Sequence, residues 1–131
     1  MNEEEPQMSE SEQLMETKDM NYVDWFAAAI GGQLPPEMWP TNQEERLDML
    51  RLYALVGMVN GRGTNSRDVH DAWSVWALKH RPGHKSLVPF EALSRDVQLL
   101  DDPYRDAIHR AGMGEMPLFC LHQPRHEGIG R

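Results

Sequence analysis

One cysteine, Cys120, stands in a chain of 131 residues. A lone thiol excludes an internal disulfide framework and any zinc site built on paired thiolates. Long hydrophobic runs are missing too, and nothing approaches the roughly 20 apolar residues that a bilayer-spanning helix needs. The opening Met1-Asn2-Glu3-Glu4-Glu5 has neither the basic nor the apolar region of a signal peptide, so a cytoplasmic protein with no membrane partner is expected. Basic charge is scarce: 13 Lys and Arg face 21 Asp and Glu, for a net charge of -8. Sequence-independent nucleic-acid binding calls for the opposite sign. Sustained two-residue alternation is absent as well, which removes the signal for half-buried strands.

The acidic surplus is unevenly placed. Residues 1–20 hold Glu3, Glu4, Glu5, Glu10, Glu12, Glu16 and Asp19 against Lys18 alone, with no aromatic residue to anchor them. Such a segment cannot bury enough apolar area to offset the entropy of ordering, so 1–20 reads as a disordered acidic tail. From Met113 onward, glycine, proline and polar residues predict a second, flexible tail over 113–131. Within it, Leu118-Phe119-Cys120-Leu121 is a short apolar run able to fold back on a core.

Between the tails the period is helical. Tyr22, Trp25, Phe26, Ala29 and Ile30 share one face of a helix ending near Gly31-Gly32. Pro35-Pro36 and Pro40 force a connection, with Met38 and Trp39 as apolar plugs. Thr41-Asn42-Gln43-Glu44 matches a capping box, in which hydroxyl and carboxylate answer free amides at a helix start. The helix that follows should run to about Asn60. Its apolar positions Leu47, Leu50, Tyr53, Leu55, Val56, Met58 and Val59 circle the wheel widely enough to predict a central helix packed on several sides. Gly61-Arg62-Gly63 ends it. Thr64, Asn65 or Ser66 can cap the next helix, whose stripe is Val69, Ala72, Trp73, Trp76 and Ala77. Arg81-Pro82-Gly83 stops that one. Ser94 then caps a short helix through Leu100. Asp102-Pro103 supplies a capping carboxylate and a first-turn proline for a last helix, with Tyr104, Ala107, Ile108 and Ala111 on one face.

Chemical motifs are few. His80 and His84 are four apart, but Arg81-Pro82-Gly83 breaks the helix that a ligand pair would need, so no metal site is expected. His122 and His126 are likewise split by Pro124. There is no G-x-S-x-G elbow and no phosphate loop, and Asp101 and Asp102 are assigned to capping. No catalytic set is assembled. The span from Leu47 to Lys79 has the outline of a helix-turn-helix, so a small DNA-binding regulator is the alternative reading. Its second helix opens with Arg67, Asp68, His70 and Asp71, a poor set of donors for phosphates and base edges.

Three blocks carry a family resemblance. Val69-His70-Asp71-Ala72-Trp73, His84-Lys85-Ser86-Leu87-Val88-Pro89-Phe90-Glu91-Ala92-Leu93 and Asp102-Pro103-Tyr104-Arg105 are together similar to the RyR domain, the small helical module named from ryanodine receptors and also found in bacterial and phage proteins. The family's aromatic and glycine segment between the first two blocks is replaced here by Lys79-His80-Arg81-Pro82-Gly83. The chain also resembles small uncharacterised proteins of actinobacteria and their phages. The resemblance implies a helical domain with a ligand-sensing role, located in the host cytoplasm if the gene is phage-encoded.

The expectation is an all-α protein: a small bundle of four to five short helices over residues 21–112, flanked by disordered tails. Trp73, Leu87, Pro89, Phe90, Leu93 and Asp102 form its structural motif, with His70 hydrogen-bonded to a carbonyl of the 84–90 loop. Arg67, His70, Lys85 and Arg105 would converge as a cationic recess for a nucleotide-like anion or an acidic partner. The function expected is non-enzymatic binding of a protein partner or a small anionic ligand, without cofactor, in a chain capable of self-association.

Overall fold

A computed structural model describes residues 21–112; the readings of 1–20 and 113–131 as tails, and of the 118–121 run, Cys120, His122 and His126, fall outside the described residues. The described residues form an all-α bundle. Its helices are α1 (Tyr22–Gly31), α2 (Gln43–Asn60), α3 (Ser66–His80), the single turn α4 (Arg95–Gln98) and α5 (Asp102–Gly112). One-turn 3-10 segments at Pro36–Met38, Gly61–Gly63, Phe90–Ala92 and Leu99–Asp101 shape the connections. No strand occurs among the described residues.

The central role read for α2 holds, since it packs against α1, α3 and α5. Its start lies one residue later than the capping box suggested: Asn42, not Thr41, caps the helix, its side chain accepting the Glu45 amide at 2.9 Å. Its buried side is Met49, Leu50, Tyr53, Ala54 and Gly57, while Leu55, Met58 and Val59 face outward. Gly61, at φ 56°, turns the chain out of α2 in a conformation that side chains with a Cβ disfavour.

On α1 the buried face is rotated from the aromatic stripe. Asp24, Ala27 and Ile30 are buried, and Tyr22 is exposed. Two contacts explain the rotation. Arg51 of α2 grips Asp24 with both arms, Nε to Oδ1 at 2.7 Å and Nη2 to Oδ2 at 2.9 Å, and the small Ala27 lets the two helices come close. Gly57 works the same way on α2: a Cβ there would stand 2.8 Å from Ile108 of α5 and 2.9 Å from the Phe26 ring.

Trp39 is the plug its prolines suggested. Its ring packs between Tyr53 and Tyr104, its Nε1 donates to the Gly31 carbonyl at 3.0 Å, and the Tyr104 hydroxyl donates to the Met38 carbonyl at 2.7 Å. Trp76 is anchored likewise, donating to the Glu45 carbonyl at 2.8 Å beneath the Arg81 guanidinium. Asn65 and Asp68 form a reciprocal capping box at the start of α3. Asp102 departs from its expected duty: the Leu99–Asp101 turn runs straight into α5, so Asp102 is already helical, and its Oδ1 instead accepts the Ser66 hydroxyl at 2.5 Å.

Candidate functional site

The capping box fixes the start of α3, and His70 follows it on the same helix. His70 is 3% exposed. Its Nε2 lies 2.7 Å from the Val88 carbonyl; since a carbonyl only accepts, Nε2 carries a proton and donates. Trp73 stacks on the His70 ring at 5.6 Å and meets His84 edge-on at 4.9 Å. This is the loop contact expected for His70. Leu87 packs on the core beside it, Phe90 lies 6.0 Å from the same imidazole, Leu93 is half-buried, and Pro89 is exposed at the turn's start.

The four cationic residues are only partly brought together. Arg67 and Arg105 line one open recess of about 470 Å³, joined by Arg95, which the sequence reading missed. Arg67 pairs with Glu91, and Arg105 pairs with Asp102 at 3.3 Å and Asp106 at 2.9 Å, so two of the three guanidinium groups already have carboxylate partners. Arg95 forms no ion pair among the described residues. His70 lines a different cavity, and Lys85 is exposed and lines neither.

The cavity holding His70 measures about 250 Å³. Its apolar walls are Met38, Met49, Tyr53, Trp73 and Tyr104, and its polar groups include His70, His84, Ser86 and Asp101. The Asp101 carboxylate receives no hydrogen bond among the described residues, and His70 Nδ1 lies 3.9 Å from its Oδ2, beyond hydrogen-bonding reach. Burial pushes the Asp101 carboxyl up to about 6; His70 pulls it down, and Asp102 adds to the rise. Burial and Asp101 together raise the Tyr104 phenol above its ordinary range. The sequence points to a capping duty for Asp101, because no spacing connects it to a histidine 31 positions earlier.

A third concavity of about 450 Å³ opens between α1, the end of α2 and α5. Tyr22, Trp25, Phe26, Met58 and Ile108 make it apolar and aromatic, with Arg62 and His109 at its edge. Of the α1 aromatics that wall it, Tyr22 is exposed, whereas Phe26 also packs against the edge of the core.

The histidine pair considered for a metal is separated in the structure. His80 donates to Asp48 at 2.9 Å, whereas His84 Nδ1 accepts the Ser86 amide. No group of three potential metal-binding side chains occurs among the described residues.

Residues 21–113 match the family described as Domain of unknown function (DUF7701). The chain belongs to this family. The DUF7701 match spans the whole bundle, so His70, Asp101, the arginine recess and the aromatic groove all lie within the family domain. No curated protein and no solved structure gives a significant match to this chain.

Proposed function

We propose that this DUF7701 chain is a non-enzymatic binding module whose ligand is a protein partner, held in the aromatic groove between α1 and α5. The observation that carries the reading is the groove itself: about 450 Å³, walled by Tyr22, Trp25, Phe26, Met58 and Ile108. Concave sites rich in aromatic side chains and methionine are where protein interfaces concentrate their binding energy. The likeness of the 69–73, 84–93 and 102–105 blocks to the RyR module supports a binding role by analogy alone. Among the described residues no helix is long and apolar enough to cross a membrane, and we place the module in the cytoplasm of an actinobacterial or phage-infected cell.

A photo-crosslinking amino acid at position 58, in the groove, compared with one at the exposed position 37, tests this in the native cell. A single discrete partner adduct from position 58 that is lost in Trp25→Ala supports the reading. No adduct, equal adducts from both positions, or an adduct confined to the chain's own residues 113–131 overturns it.

A second reading rests on Arg95. With Arg67 and Arg105 it rims the polar recess beside Ser66 and Gln98, a setting for a small anionic ligand such as a nucleotide phosphate. A saturating nucleotide, at 100 times its dissociation constant, should then stabilise the protein by about 2.7 kcal/mol, and Arg95→Ala should remove the effect. Absence of a thermal shift across nucleotides and cyclic nucleotides sinks this version. DNA gains no comparable support, because the outward side of α3 offers Asp71, Val75 and Leu78, and its two exposed cations, Arg67 and Lys79, are paired with Glu91 and Asp48.

A further inference from the structure

The His70 cavity combines features that the protein-binding reading does not use. Asp101 is a carboxylate without a hydrogen-bond donor, held where aromatic rings replace water. No fully buried side-chain nitrogen or oxygen among the described residues lacks a partner, so the unanswered Asp101 oxygens are atoms that the cavity reaches. His70 spends its Nε2 proton on the Val88 carbonyl, and in the neutral ring this leaves Nδ1 as an acceptor facing Asp101 across 3.9 Å. Two acceptors at that separation repel each other unless a donor sits between them. Hydrogen bonds of about 2.9 Å to each let one tetrahedral nitrogen bridge the gap. Tyr53 and Tyr104, with ring centroids 5.8 Å apart, and Trp73 offer faces and edges to whatever that nitrogen carries. Ring faces attract cations, and they do so more strongly where water is excluded.

We propose that this cavity binds a small organic ammonium, its nitrogen bridging Asp101 and His70 Nδ1 and its body lying against Tyr53, Tyr104 and Trp73. The charged and titratable groups facing the site are Asp101, Asp102, His70, His84 and the two phenols. Lowering the pH protonates Asp101, whose carboxyl is held at about 6, and so removes the negative charge that a bound cation needs. Asp102 is engaged by Ser66 and Arg105 and provides only background negative charge.

The test titrates the full chain with benzylammonium chloride and, separately, with the neutral isostere benzyl alcohol, following Trp and Tyr side-chain NMR signals and calorimetric heat. Binding of benzylammonium at pH 7, at least about tenfold tighter than benzyl alcohol and about tenfold weaker at pH 5, is the expected result. Asp101→Asn, with its fold checked by its melting curve, should abolish the preference for the charged ligand, while Val59→Ala, on the exposed side of α2 and in none of the three concavities, should leave it unchanged. No binding by the wild-type chain up to about 10 mM, equal binding of both compounds, or binding indifferent to pH between 7 and 5 overturns the proposal. Retention of the preference in a folded Asp101→Asn chain overturns it as well.

Discussion

Asp24 and Asp101 are both carboxylates withdrawn from water, and they are treated in opposite ways. Asp24 is held bidentately by Arg51 and also accepts from the Asn21 side-chain amide, while its own backbone N–H donates to Asn21 Oδ1 at the helix cap. Removing it strands a half-exposed guanidinium that water can still reach, so Asp24→Ala should cost about 1 to 2 kcal/mol, less than the 3 to 5 typical of breaking a fully buried pair. Urea denaturation checks the figure. Asp101 has no such support. Its carboxyl is raised from 3.8 to about 6, so between those values the unfolded chain has released its proton while the folded one retains it. Folding is therefore favoured least above pH 6 and regains this contribution as pH falls through 6 toward 4. Asp101→Asn should stabilise the protein at pH 7 by about 1 to 2 kcal/mol, allowing for solvent in the cavity, and should flatten its stability between pH 4 and 6. Melting curves across that range read both effects. A carboxylate kept at a cost to stability is a common mark of a binding site.

At the scale of helices, Gly57 sets how closely three of them approach. Alanine would add helix propensity of about 0.5 to 1 kcal/mol, but its Cβ would meet Ile108 and Phe26 at under 3 Å, and overpacking of this kind costs about 1 to 3 kcal/mol. Gly57→Ala should thus destabilise by about 1 kcal/mol net, measurable by thermal or chemical denaturation, and shift the Phe26 ring at the groove wall. The capping signals show how far local sequence reaches. Ser94 caps the short helix expected of it, and of the three candidates Thr64, Asn65 and Ser66 it is Asn65 that caps α3, whereas the start of α2 passed from Thr41 to its neighbour Asn42. Both can accept an amide, and the choice between adjacent candidates depends on where the incoming Pro40 connection lies. Asp102 lost its capping role for a related reason: the turn before it continues the helical path, leaving the carboxylate free for Ser66 and Arg105.

For the whole molecule, the charge distribution and the core agree on one unit. Every buried apolar side chain of the described residues joins a single cluster running from Ala27 to Ala111, and seven of the chain's acidic residues precede Asn21. Residues 21–112 expressed alone should therefore melt within a few degrees of the full chain, since a 1 kcal/mol change moves a domain of this size by about 4 to 8 °C. A larger loss would show that residues outside this span contribute to the core.

Composition and periodicity sufficed for the all-α class, the central place of α2, the Trp39 plug and the apolar face of α5, because each depends on residues within one or two turns of one another. The hydrogen bond from His70 to the 84–90 loop was legible for a different reason: the resemblance of the 69–73 and 84–93 blocks to one helical module set the two segments side by side, and a buried imidazole needs a partner. What the tertiary structure alone decided is which of several competing faces and charges meet. It turned Asp24 inward and left Tyr22 exposed, drew Arg67 and Arg105 together with Arg95 while leaving Lys85 apart, and set Asp101 against His70. Those outcomes depend on pairings between distant segments, where one ion pair or one missing Cβ tips helices of nearly equal amphipathic preference, and no local spacing records them.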